Sequence, residues 1–244
     1  MKIIGVIPAR YKSTRFPGKP LADICGKPMI WWVYQNVIKV KKLDEVYVAT
    51  DDERITNICS QYNIKSVMTS TEHKTHLDRL SEFASIVNAD FYINVNGDEP
   101  IIEAKNIEKL IPNNINKKEF YVANAMTTIK RQFEIVDTSK IKVVTDMSNY
   151  FMYMARTPIP YPKSDTNFVY KKFVGIQCFS KSALEFCRNT KRGNIENIED
   201  IDEYRFLENG KKIKGIMVSA ESFSVDTQKD LDNIINIIKN NGII

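Results

Sequence analysis

The chain has 244 residues, 43% hydrophobic and 27% charged, which allows a sizeable buried core and excludes a disordered or low-complexity protein. A net charge of +5 suits anionic small molecules, but no basic block is long enough to suggest a nucleic-acid binder. The longest N-terminal apolar stretch is too short for a secretory core or a bilayer span, so no membrane insertion and a cytoplasmic location are expected.

In chain order, the first half alternates β-rich runs with amphipathic stretches. Strands are predicted over 3–7, 46–50, 66–68 and 91–95. Between the first two, Pro28 can open a helix in which Met29, Trp32, Val33, Val37 and Val40 share a face. Further helices are predicted over 55–62 and 77–87. This is the pattern of a mostly parallel sheet covered by helices. The middle changes character, with strands predicted over 121–129, 141–145, 150–155 and 172–179 and little helix between them. The Pro/Ser/Asp-rich stretch 158–170 reads as a mobile loop. Helices resume over 197–208, with Gly210 as a C-terminal cap, and over 227–239 after a strand over 213–219. The expected organisation is an α/β core built from 1–119 and 180–244, with 120–179 as a smaller, mixed β-rich extension. Cys25, Cys59, Cys178 and Cys187 are scattered with no Cys-x-x-Cys, and His73 and His76 are the only histidines, so buried free thiols are expected instead of a disulfide framework or zinc site.

The first predicted strand runs into "IPARYKSTRFPGKPL", which crowds Arg10, Lys12, Arg15 and Lys19 together. In open α/β sheets ligands gather beyond the carboxyl ends of strands, so such a loop would face an anion. Ser13, Thr14 and backbone N–H groups near Gly18 add donors, as a polyphosphate cradle requires; the alternative is a merely solvated basic loop. No Gly-x-Gly-x-x-Gly follows the strand, and Gly26-Lys27-Pro28 has Pro where a P-loop needs Ser or Thr. A P-loop kinase and a dinucleotide oxidoreductase are thereby disfavoured.

Two acidic motifs complement this loop. In "NVNGDEP" (94–100), Gly97 and Pro100 put Asp98 and Glu99 on a turn, where a carboxylate can hold Mg²⁺ against phosphates or simply bond its own backbone. In "SVDTQKDL" (224–231), Thr227 and Asp230 fit a capping box, which leaves Asp226 available to ligate metal.

"PARYKSTRFPGKPL", followed by "GKPMI", resembles the N-terminal signature of sugar nucleotidyltransferases, most closely the 3-deoxy-manno-octulosonate (Kdo) cytidylyltransferase, or CMP-Kdo synthetase, family. "GDEP", "VDT", "MARTPIP" and "IENIEDIDEYRFL" extend the likeness over almost the whole chain. The resemblance implies a Rossmann-like nucleotidyltransferase fold whose 120–179 extension serves sugar binding and dimerisation. It also implies transfer of CMP from CTP to the anomeric hydroxyl of Kdo with release of pyrophosphate, for lipopolysaccharide or capsule synthesis, by a homodimer. It assigns the nucleotide to Arg10, Ser13, Thr14, Arg15, Lys19 and Arg79, and Mg²⁺ to Asp98 and Asp226. The sugar falls to Asn96, Arg156, Gln177, Glu196 and Glu199, with Arg156 meeting its carboxylate. Arg10, Lys19, Asp98 and Asp226 form the catalytic set.

The chain departs from the family pattern around the sugar. Asn96 and Glu203 stand where glutamine is usual, Phe173 and Gln177 replace a His and a Tyr, and 75–79 keeps only Arg79 of the family's "SGTER". These changes leave open a second reading, activation of a different acidic sugar such as an amino-deoxy ulosonic acid. A nucleotide-binding relative without turnover is a third reading, against which Asp98 and Asp226 stand together.

Overall fold

The computed structural model describes residues 1–12, 16–113, 116, 119–164, 167–219 and 224–240. The strands are β1 (Ile3–Ala9), β2 (Asp23–Ile24), β3 (Lys27–Pro28), β4 (Glu45–Thr50), β5 (Ser66–Met68), β6 (Phe91–Val95), β7 (Val122–Thr128), β8 (Lys142–Thr145), β9 (Phe151–Ala155), β10 (Lys171–Ser180) and β11 (Lys214–Met217). The helices are α1 (Met29–Val37), α2 (Glu53–Gln61), α3 (His76–Ile86), α4 (Ala104–Glu108), α5 (Phe133–Val136), α6 (Lys181–Arg188), α7 (Asn194–Glu199), α8 (Tyr204–Leu207) and α9 (Gln228–Asn240), with a 3₁₀ turn at Lys19–Leu21.

The central sheet runs β11-β7-β10-β6-β1-β4-β5. β1, β4, β5 and β6 are parallel neighbours, β10 is antiparallel to both β6 and β7, and β11 is parallel to β7, so the sheet is mostly parallel as expected. β1 is buried on both faces: Ile3 and Ile7 enter one apolar cluster, Ile4 and Val6 the other. That is why its sequence is a continuous apolar run instead of an alternating one. The stretch 120–179 contributes β7 and β10 to this sheet, while β8 and β9 pair as a hairpin hung on the start of β10 at Lys171 and Lys172. No strand or helix occurs among the described residues of 158–170. Cys59, Cys178 and Cys187 are buried free thiols, and Cys25 is half-buried.

A third cluster positions the C-terminal segment. Val225 together with Leu231, Ile234 and Ile238 of α9 packs on Ile24, Met29 and Trp32, and burying each such aliphatic chain contributes about 1.5–3 kcal/mol. This packing brings residue 226 to the first loop. The expected capping box is present: Asp230 Oδ2 accepts from the Thr227 N–H at 2.8 Å, and the Asp230 N–H donates to Thr227 Oγ1 at 3.3 Å.

One predicted element is overturned. The helix expected over 197–208 is broken into α7 and α8 by Asp200, which adopts a left-handed conformation (φ 51°, ψ 53°). Ile201, Asp202 and Glu203 turn inward there and are buried. Local pattern misses the break because what stabilises it lies elsewhere in the chain: the Arg156 guanidinium donates to the carbonyls of Glu199 (2.6 Å) and Asp200 (2.9 Å), satisfying the end of α7. α6 is also absent from the sequence reading, although Ser180 caps it by accepting from the Ala183 N–H, and Ala183, Leu184 and Cys187 form its buried stripe. Gly210 takes positive φ just after α8, as its predicted capping role requires.

Beneath the break, Arg205 bonds both carboxylate oxygens of Glu196, at 3.1 and 2.6 Å, and Glu196 is completely buried. Truncating one partner of a buried pair strands the other's charge. Arg205→Met is therefore expected to lower unfolding free energy by about 3 kcal/mol in urea titration. A loss below about 1 kcal/mol would mean that the second cation on Glu196, Arg192 at 3.0 Å, neutralises it unaided.

Candidate active site

The carboxyl ends of β1 and β6 open into a cleft of about 320 Å³, closed at its sides by the start of α3 and by Asp226. β1 has β4 on one side and β6 on the other, so the cleft lies where the strand order changes direction. Gly97 is required there: a Cβ would sit 2.9 Å from the Pro8 carbonyl oxygen. Gly18, at φ 71°, turns the first loop back so that its N–H bonds the Tyr11 carbonyl at 2.9 Å.

Lys19 lines the cleft. Its ammonium donates to Asp98 Oδ2 at 2.7 Å, to the Val225 carbonyl at 2.9 Å and toward Asp226 Oδ1 at 3.4 Å. Asp98 and Asp226, predicted from separate motifs, thus converge on one point, and the Val225 N–H bonds the Asp98 carbonyl at 2.9 Å to hold the two segments together. Two carboxylates and a carbonyl are hard oxygen donors of the kind that would suit Mg²⁺. No group of three His, Cys, Asp or Glu suited to a metal occurs among the described residues. Glu99, the next residue, is buried; burial first, then the neighbouring Asp98 charge, pushes its pKa up to about 7.

Other expected site residues distribute unevenly. Arg10 is exposed at the cleft and Asn96 lines it. Ser13, Thr14 and Arg15 lie outside the described residues. Arg79 lines the cleft but is engaged from behind, bonding Asp51 at 2.8 Å and Thr69. Arg156 and Glu196 are not brought to the cleft. The Arg156 guanidinium is directed at the carbonyls of Thr138, Glu199 and Asp200, and Glu196 is taken up by Arg192 and Arg205. Glu199 accepts from the Arg156 N–H at 3.1 Å. The i, i+3 spacing of Glu196 and Glu199 does not make them a matched pair toward a ligand, because each already has a protein partner.

Asn96 and Gln177, both expected at the sugar, belong to a polar seam behind the cleft wall whose other members, Asn94, His76, Asp202 and Glu203, the sequence reading left outside its site. Asn94 donates to Asn96 at 3.0 Å and to Gln177, and Gln177 donates to Glu203 at 3.0 Å. Glu203 Oε1 lies 3.8 Å from His76 Nε2, and His76 Nδ1 is 2.8 Å from Asp202 Oδ2. Four positions at which this chain departs from the family pattern, His76, Asn96, Gln177 and Glu203, therefore belong to one connected set. The break after α7 is what carries Asp202 and Glu203 to it. A signal was available in the sequence: His76 and Glu203 both replace expected residues, and a new cation and a new acid can compensate each other.

Burial alone would lower the His76 pKa, but Asp202, with help from Glu203 and Asp78, raises it to about 9. Asp202 moves the other way: burial opposes its ionisation, but His76 brings its pKa down. Burial pushes Glu203 up to about 7. The stability from charged His76 is fully present below its unfolded pKa near 6.5 and disappears as pH rises through about 9. His76→Gln should accordingly destabilise by about 2 kcal/mol at a pH near 6 and by almost nothing near pH 10, as followed by chemical denaturation across pH. An equal loss at both ends would show that packing, not charge, is the contribution.

A family model described as cytidylyltransferase matches residues 4–213. Among curated proteins, a 3-deoxy-manno-octulosonate cytidylyltransferase of Fusobacterium nucleatum is 38% identical over 244 residues, covering 100% of this chain and 99% of its own. One from Escherichia coli is 36% identical over 233 residues, covering 96% and 94%. A solved structure of CMP:2-keto-3-deoxy-manno-octonic acid synthetase complexed with CTP superposes with a TM-score of 0.91 at 34% identity, covering 99% of this chain and 100% of that one. At 17% identity and a TM-score of 0.63, a 4-diphosphocytidyl-2C-methyl-D-erythritol synthase from Anaerococcus prevotii shares the fold. With full-length identity at this level and a cleft built from the same motifs, the chain belongs to the 3-deoxy-manno-octulosonate cytidylyltransferase family.

Proposed function

We propose that this protein transfers CMP from CTP to the anomeric hydroxyl of 3-deoxy-manno-octulosonate and releases pyrophosphate. The observation that carries the reading is the convergence of Asp98 and Asp226 on Lys19, beside Arg10, in a chain whose full length follows a CTP-bound synthetase. The reaction joins a polyanionic nucleotide to an anionic sugar acid, so the protein's principal tasks are neutralisation and orientation. Arg10 and Lys19 face the triphosphate from the first loop and balance charge that builds on the leaving pyrophosphate. Asp98 and Asp226 would hold Mg²⁺, and the chemistry that ion would supply is Lewis-acid polarisation of the α-phosphate and a more acidic attacking hydroxyl. Asn96 and the seam behind it offer amide and carboxyl groups to sugar hydroxyls; each unmatched buried hydroxyl contact costs about 1–3 kcal/mol, so this wall governs which sugar is accepted. Arg156 acts at one remove, by fixing the turn that delivers Asp202 and Glu203.

Two copies of the chain pair, in this reading, through the hairpin side of the molecule. There Phe133, Val136, Met152 and Tyr153 are exposed apolar side chains close in sequence to β8 and β9. No helix among the described residues is long and apolar enough to cross a membrane.

The test is pyrophosphate release from CTP with Kdo and Mg²⁺, run beside a panel of other sugar acids. Turnover of Kdo that stops on chelation is expected, and failure of Kdo to react while another acid does would remove this assignment. Asp98→Asn and Asp226→Asn should each lower kcat by ~10²–10³, the scale of losing one preorganised electrostatic contact. The Asp226→Asn melting temperature should stay near wild type, since Thr227 and Asp230 cap α9 without the Asp226 side chain.

A further inference from the structure

An ammonium has three protons, and all three of those on Lys19 have acceptors: Asp98 Oδ2, the Val225 carbonyl and Asp226 Oδ1. Oxygen donors from two distant chain segments gathered around one positive charge make a cation site, and its occupant is the protein's own side chain. These are also the oxygens assigned above to Mg²⁺, and ammonium and metal cannot both lie among them, because the two cations repel at contact distance. Lys19 is suited to moving between two places. Its backbone is fixed by the Gly18 N–H to Tyr11 carbonyl bond and by buried Pro20, whereas its four-carbon stem is flexible. The same cleft carries Arg10 and Lys74, so phosphates drawn there arrive within reach of the Lys19 ammonium.

We propose that Lys19 is a placeholder for the divalent ion: in the nucleotide-free enzyme it holds Asp98 and Asp226 together and keeps free metal out, and nucleotide phosphates draw it away so that metal enters only with nucleotide. The inference rests on the two-aspartate metal site proposed above. Without the Lys19 ammonium the two carboxylates would repel each other and the first loop would lose its side-chain tie to them, while the Val225 N–H to Asp98 carbonyl bond still joins the turn after β6 to the segment before α9. With Lys19 in place they are preorganised, and affinity for free metal is the quantity sacrificed. When nucleotide binds, its phosphate oxygens give the ammonium a new partner and add ligands to the metal, so the two exchanges proceed as one. Metal and nucleotide binding are thereby coupled, each strengthening the other.

The experiment is a Mn²⁺ titration of the full, nucleotide-free chain, with free Mn²⁺ read by electron paramagnetic resonance. Lys19→Met, which keeps the length and packing of the side chain, should bind Mn²⁺ at least tenfold more tightly than wild type, and Lys19→Arg, which keeps the charge, should not. Equal affinity in Lys19→Met and wild type overturns the proposal. Should Lys19→Met not fold, ¹⁵N-lysine NMR of the wild type gives an independent reading. The Lys19 ammonium signal should stay in place with Mg²⁺ alone and move with Mg²⁺ plus CTP, and a shift with Mg²⁺ alone overturns the proposal. The triple arm Lys19→Met/Asp98→Asn/Asp226→Asn separates the two failures: tight Mn²⁺ binding retained there means that the ion sits elsewhere and the two-aspartate reading itself is wrong.

Discussion

The contact of one ammonium with two carboxylates and a carbonyl is the point on which the site depends. Lys19 follows the first strand, Asp98 follows the fourth parallel strand of the sheet, and Asp226 precedes the last helix, so the interaction joins the beginning, middle and end of the chain. None of the three is placed by that interaction alone. Lys19 is aimed by the left-handed turn at Gly18, Asp98 by a turn so close to β1 that residue 97 must lack a side chain, and Asp226 by the apolar docking of α9 on Ile24, Met29 and Trp32. Hydrophobic burial, which is not directional, brings the segments near, and the short polar contacts then set the geometry.

Behind that point the protein tolerates an unusual density of buried polar groups. Glu99, Glu203, Asp202, Asn94, Gln177 and Glu196 are all buried, and their burial is compensated in more than one way. Glu196 has two guanidinium partners and Asp202 has a protonated imidazole, while Glu99 and Glu203 lack so strong a counter-charge and have pKa values near neutrality. Buried charge is costly unless paired, and the seam shows both answers side by side: Asp202 is paired with His76, and neighbouring Glu203 is inclined to hold its proton. Both stand behind the wall assigned to the sugar. Substitutions at His76, Asn96, Gln177 and Glu203 therefore act as a set, and reading any one of them as an isolated change of specificity would mislead.

Arg156 shows how a motif can persist while its side chain is engaged elsewhere. A cation in "MARTPIP" near the sugar site invites assignment to the substrate carboxylate, yet the guanidinium here closes the end of α7 and supports the left-handed Asp200. Its effect on the cleft passes through the backbone, since the turn it stabilises is the one that presents Asp202 and Glu203. Glu196 is similar: its place on an acidic helix suggests a solvent-facing acceptor, and the fold makes it the buried anchor of Arg205.

Much of the architecture was legible in the chain alone. The strands over 66–68 and 91–95 and the capping box at Thr227 and Asp230 follow from short-range pattern; Asp98 was legible as a metal candidate from its turn at a strand end, with a backbone-bonding role as the alternative, and Asp226 because the capping box does not use its carboxylate. Periodicity, capping and turn preference are local, so a few neighbouring residues determine them. The joining of β7 and β10 to the central sheet, the break at Asp200, the partners of Arg156 and Glu196, and the seam from Asn96 to His76 were decided only by tertiary structure. The partner a charged or amide side chain takes depends on groups up to about two hundred residues away, and on which of them burial has stripped of water; no window of sequence carries that information.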